Sequence, residues 1–102
     1  MPDIVISDTS SLILFQNIGE FDLFKKVYSQ ILITPEVADE FSEIIPEWII
    51  IKKVQDSKYQ KIIETQLDKG EASVIALAKE YDNPLLILDD LKARKLASKL
   101  DI

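Results

Sequence analysis

The chain has 102 residues, of which 47% are hydrophobic and only two are Gly and four Pro; it is composed to fold, and its length fits a single domain over residues 1–102. It carries 18 Asp and Glu against 12 Lys and Arg, a formal net charge of −6. With no His and no Cys, it cannot build a Ser-His-Asp triad, a Cys-His nucleophile, a zinc finger, a disulfide or a CxxC pair from its own residues.

Read in order, Ile4–Ile6 is a short β-branched run ending near Asp8, the pattern of a strand buried on both faces. Ser10 or Ser11 is placed to cap a helix through LILFQNIG, and Gly19 to end it. Phe21, Phe24 and Tyr28 repeat at helical spacing, which predicts a helix over Glu20–Tyr28. Ile31–Ile33 reads as a second strand. Thr34-Pro35-Glu36 opens a helix: a capping hydroxyl, a proline at the first helical position and an acid near the positive end of the dipole. Val37, Phe41 and Ile44 continue its apolar side until Pro46.

Trp48–Ile51 predicts a third strand, followed by a short helix over Tyr59–Leu67 with Ile62, Ile63 and Gln66 near one face. Gly70 breaks that pattern, and Glu71–Tyr81 is a cleaner helix whose small side chains suit close packing on a sheet. Asn83-Pro84 signals a turn, Leu85–Leu88 a fourth strand, and Leu91–Leu100 a final helix with Ala93, Leu96, Ala97 and Leu100 on one stripe. Short apolar strands alternating with helices predict an α/β fold: three layers, α/β/α, around a mostly parallel four-stranded sheet. No apolar stretch approaches the ~20 residues needed to span a bilayer, and MPDIVISD has no basic leader pattern, so the expectation is a cytoplasmic protein without membrane contact.

In such a sheet, sites gather beyond the carboxyl ends of the strands. Asp8 follows the first strand, and Asp89 and Asp90 follow the fourth. Glu71 opens a helix, and Glu40 lies one turn after Glu36. Each has a bland role as well. Asp8 could cap the next helix, as could one of Asp89 and Asp90; Glu71 suits a helix dipole, and Glu40 suits a solvated face. Lys92, Arg94, Lys95 and Lys99 form a basic set on the last helix, either solvated or touching phosphates. The acidic balance and the lone arginine, Arg94, argue against a general electrostatic nucleic-acid binder. Carboxylates held together, however, shift their pKa values or bind a hard cation, and a cation so placed activates water and neutralises a phosphodiester.

Four segments also carry a resemblance. IVISDTSSLI, TPEVADEF, GEASVIALAKEY and LLILDDLKARKLA, in this order, resemble the four motifs of PIN-domain nucleases, nearest to the VapC-like branch of prokaryotes. The likeness runs from Ile4 to Leu100. It implies a metal-dependent ribonuclease, often the toxin of a toxin–antitoxin pair, with RNA as substrate and a small antitoxin-like protein as partner. It implies Asp8, Glu40, Glu71 and Asp90 as the catalytic acids, and Mg²⁺ or Mn²⁺ held by Asp8, Glu71 and Asp89 or Asp90, with Asp90 the nearer match. The hydroxyls of Thr9 and Ser10 would steady the site, and Lys92, Arg94 and Lys95 would meet phosphates.

Relatives of this kind continue beyond the last helix into a fifth strand, whereas the sequence here stops at Asp101-Ile102. The expectation is an uncovered sheet edge and a homodimer or higher oligomer that completes it. The competing reading is a non-catalytic, truncated PIN-like module that self-associates or binds a small partner. A receiver-like phospho-acceptor domain ranks last, because the third strand ends in Lys52-Lys53 rather than in an acid.

Overall fold

The computed structural model describes residues 4–17, 19, 22, 25–26 and 30–102. Four short strands, β1 (Val5–Ser7), β2 (Ile31–Ile33), β3 (Ile49–Ile51) and β4 (Leu85–Ile87), form one parallel sheet in the order β3-β2-β1-β4. Five helices are present among the described residues: α1 (Thr9–Asn17), α2 (Pro35–Phe41), α3 (Ser57–Ile63), α4 (Lys69–Lys79) and α5 (Leu91–Lys99). Together they make the three-layer α/β/α arrangement. The helix expected over Glu20–Tyr28 lies outside the described residues, apart from Asp22, Lys25 and Lys26.

The strands follow their composition. β1 and β2 occupy the centre and are buried at every position, as continuous apolar runs must be when both faces are covered. β3 and β4 form the edges, and they differ from the expected buried type. Only Ile49 of β3 is buried, with Ile50 and Ile51 exposed, and β4 is half-buried throughout. An edge strand has a neighbour on one side only, which its sequence does not reveal.

Local chemistry sets the helix ends, and at several of them the structure corrects the sequence reading. Of the caps the sequence offers for α1, the structure uses Asp8 and neither Ser10 nor Ser11: its Oδ1 accepts the Ser11 amide at 2.9 Å. Gly19 does take the left-handed conformation expected beyond that helix (φ 71°). α2 starts as read, with Thr34 Oγ1 accepting the Val37 amide at 3.2 Å and Pro35 at the first position. It stops at Phe41, because Ser42 turns left-handed (φ 60°), so Ile44 is not on its apolar side but 92% exposed. α3 starts earlier than Tyr59, capped by Asp56, and ends at Ile63; Ile63 is buried while Ile62 faces solvent.

α4 is the central helix. From Ala72 to Ala78 every residue is buried, and the helix packs against α2, α3, α5, β1 and β4. Gly70 does not break the chain here, since it lies in the first turn of α4, whose cap is Asp68. A polar relay pins α4 to α2 inside the core. Ser73 Oγ donates to the Gly70 carbonyl at 2.6 Å, so its single proton is committed. The 2.7 Å contact between Thr34 Oγ1 and Ser73 Oγ is therefore donated by Thr34. α5 ends in a Schellman turn: the Ile102 amide reaches the Ala97 carbonyl and the Asp101 amide that of Ser98, with Asp101 left-handed (φ 60°). Ile102 folds back onto the core.

Candidate active site

The strand order places the site. The chain runs outward from β1 through β2 to β3, then returns to lay β4 on the other side of β1. That reversal leaves a crevice at the carboxyl ends of β1 and β4, where α/β proteins bind their ligands. Asp8 stands one residue beyond β1. Its amide donates to the Ile87 carbonyl at the end of β4, which stitches the two strand ends together.

Asp8 is buried (5% exposed) and held at both oxygens. Oδ1 accepts the Ser11 amide, and Oδ2 accepts the Asp89 amide at 2.8 Å. One carboxylate thus caps α1 and ties down the loop after β4, leaving a second lone pair on each oxygen. Asp8, Thr9, Ser10, Glu40, Asp68, Gly70 and Glu71 line one small cavity of about 60 Å³, roughly the liquid volume of two waters.

The acids around this cavity perturb one another. Burial pushes the Glu71 carboxyl up to about 8, helped by hydrogen bonds to Asp90 and Asp68 and by the charges of both. The Asp90 carboxyl is held below its ordinary range, first by the hydrogen bond from Glu71 and then by the Lys92 and Ala93 amides at the start of α5. Glu71 therefore keeps a proton that its neighbours accept. Glu40 is raised by burial of its carboxyl, then by the charges of Asp68 and Asp8. Asp8, Asp68 and Asp90 stand at the N-termini of α1, α4 and α5, Glu40 lies on α2 and Glu71 in the first turn of α4, and only the fold brings them together.

The sequence-predicted residues divide as follows. Asp8, Thr9, Ser10, Glu40 and Glu71 share the cavity, and Asp90 joins through Glu71. Asp89 contributes its amide to Asp8, while its own side chain is exposed. Lys92, Arg94, Lys95 and Lys99 are exposed on α5, and Arg94 donates Nε to the Leu88 carbonyl at 2.5 Å.

Asp68 was missed by sequence reasoning. It caps α4 by accepting the Glu71 amide at 2.9 Å, and it faces Glu40 and Glu71. The signal was present in Asp68-Lys69-Gly70-Glu71, an acid three residues before a glutamate, which is capping-box spacing.

The donor set suits a hard divalent cation: carboxylates only, crowded enough to retain a proton between them. Among the described residues, no three acidic side chains converge into a ready ligand set.

Fold and site together define a parallel α/β protein with a carboxylate cavity at its topological switch point. A family model for the PIN domain matches residues 4–102, and the chain belongs to that family. It is a nuclease-type family whose members generally use divalent metals. No curated protein and no solved structure matches the chain. Among the described residues, no helix is long and apolar enough to cross a membrane.

Proposed function

We propose that the protein is a metal-dependent ribonuclease of the VapC-like kind, the toxin of a toxin–antitoxin pair acting in the cytoplasm. The observation that carries this reading is the cavity at the carboxyl edge of the sheet, where Asp8, Glu40, Asp68 and Glu71 stand together beside the hydroxyls of Thr9 and Ser10. Burial and its acidic neighbours push Glu71 up to about 8, a perturbation that a bound cation would relieve. Asp8, Glu71 and Asp90 would hold Mg²⁺ or Mn²⁺, with Asp89 at the rim and Glu40 and Asp68 completing the negative wall. Such an ion supplies Lewis acidity and charge neutralisation for phosphodiester hydrolysis.

The chain's own residues do the rest. Asp8, fixed by two amides, presents its carboxylate in one orientation. Thr9 and Ser10 line the same cavity and offer hydroxyls to a water or a phosphate oxygen. Lys92 and Lys95, three apart on α5 and exposed, are placed to meet the RNA backbone with Arg94 beside them.

The test is cleavage of a single-stranded RNA by purified protein with Mg²⁺ or Mn²⁺ and with chelator. Turnover should require the metal and should be lost in Asp8→Asn, which keeps the α1 cap. Cleavage indifferent to chelator, or intact in Asp8→Asn, overturns the reading.

One observation favours the second reading, a non-catalytic interaction module that self-associates or binds a small partner. β4 is a sheet edge among the described residues, and beside it runs an open groove of about 820 Å³ lined by Phe15, Leu86, Leu88, Ala97 and Ile102. Clean metal-dependent turnover that is lost in Asp8→Asn would rule it out, and a monomer by light scattering at micromolar concentration would rule out its self-associating form.

A further inference from the structure

We infer that Gly70 is a positioning residue for Glu40: the missing Cβ at 70 makes the space in which the Glu40 carboxylate lies against the mouth of the site. This rests on the nuclease reading above. Gly70 does not need glycine's conformational freedom, because it sits in the first turn of α4 and its φ is not positive. Within a helix, glycine is a poor choice relative to alanine. Space explains it instead. A Cβ built on Gly70 would collide with Glu40 Oε1, and would lie 3.0 Å from Glu40 Cδ and 3.4 Å from Oε2. The whole carboxylate therefore rests on the bare Cα of Gly70.

Glu40 and Gly70 are thirty positions apart, on helices that the core ties together. Thr34, which caps α2, donates to Ser73, and Ser73 donates to the Gly70 carbonyl. The base of α2 is thus fixed to the very residue over which Glu40, at the other end of α2, lays its carboxylate. Held there, Glu40 feels Asp68 and Asp8 and shares their cavity. Added bulk at 70 meets only the far end of a flexible side chain, so the fold can yield at little cost while the carboxylate moves away from the site.

This gives stability and activity opposite signs in Gly70→Ala. Its Tm should rise by about 2–8 °C, from the gain in helix propensity. Its metal-dependent kcat should fall on the order of 100-fold, as expected for an acid displaced by about an ångström, with KM little changed. Gly70→Ala combined with Glu40→Gln should be no slower than Glu40→Gln alone, because both remove the same carboxylate from the same place. In the unmodified protein, Gly70 Hα and Glu40 Hγ should give a nuclear Overhauser contact, with the corresponding contact to Glu40 Hγ lost in Gly70→Ala.

Full activity in Gly70→Ala overturns the inference, as do additive losses in the double variant or a Tm that drops. If the unmodified protein cleaves no RNA under any metal condition, the nuclease reading fails. The Overhauser contact and the sign of the Tm change then decide the positioning of Glu40 by themselves: contact present and Tm raised supports it, contact absent or Tm lowered refutes it.

Discussion

One helix holds both characters of this protein. The first turn of α4, Asp68 to Glu71, is polar, crowded with like charge and devoted to the cavity. Its body, Ala72 to Ala78, is buried residue by residue and devoted to the core. The boundary between them is a single peptide. In the body, packing decides which residues are tolerated; in the first turn, side chains are held in arrangements that cost stability. Glu71 protonated beside Asp68 and Asp90 illustrates the cost, and so does a glycine where alanine would be the better helix former. A buried body behind a charged first turn keeps the acids in place.

Substitutions can break or sharpen this contrast. The largest effect belongs to the body: Leu77→Ala, at a fully buried position, should cost about 2–5 kcal/mol in urea unfolding. That is a large part of the stability of a chain this size. If it costs under 1 kcal/mol, the body is not the mechanical support described here.

Asp8 comes next, because it serves both regions. Asp8→Ala removes the α1 cap and the acceptor for the Asp89 amide, and should lose about 1–2 kcal/mol. Asp8→Asn keeps one acceptor oxygen for the α1 cap but turns an NH₂ group, which cannot accept, toward the Asp89 amide, and should lose about 1 kcal/mol. Equal loss in the two variants would mean that the bond to the Asp89 amide, not the α1 cap, is what Asp8 gives the fold.

A smaller effect is expected at the far end of α4. There Glu80 Oε2 accepts the Gln55 and Asp56 amides at 2.9 and 3.1 Å and so holds the entry to α3. Glu80→Ala should lose about 1 kcal/mol by thermal unfolding, without affecting RNA cleavage.

The smallest is a pH dependence, because solvent still reaches Glu71 and screens it. With the folded Glu71 carboxyl at about 8 against an ordinary 4.5, the folded chain holds a proton across that window that the unfolded chain has lost. Stability in chelator should therefore fall as pH rises from 4.5 through about 8. Beside burial, the hydrogen bonds and charges of Asp90 and Asp68 push Glu71 in that direction. In Glu71→Gln the slope over that window should flatten. A slope unchanged in that variant would move the retained proton to another acid.

Much of this was legible in the chain. Apolar runs at Ile4–Ile6, Ile31–Ile33 and Leu85–Leu88 specified strands, because a three-residue β-branched or leucine run bounded by polar residues has few other uses in a parallel sheet. Thr34-Pro35-Glu36 specified a helix start, because cap, fixed φ and dipole all agree there. Where the reading slipped, the cause was competition between local signals. Ser10 and Ser11 offered hydroxyl caps, but Asp8 lay closer to the end of β1. Gly70 looked like a stop and is a close-packing position, since a helix tolerates glycine when a neighbour needs the room. Ile44 kept the helical spacing of α2 but fell beyond Ser42, whose left-handed turn no periodicity reports.

By itself, then, the sequence determined which chemistry was open to the protein and which elements would form. Without His or Cys the site had to be carboxylate, and hydrophobic periodicity and caps are local enough to survive without tertiary information. Only the tertiary structure decided which acids meet. Asp8, Glu40, Asp68, Glu71 and Asp90 are separated by up to 82 positions. They line or adjoin one cavity because β4 returns to lie beside β1 and because α2 is pinned to α4 through Thr34 and Ser73. Proximity across a sheet edge depends on strand order and helix packing, and neither is written in the spacing of residues along the chain.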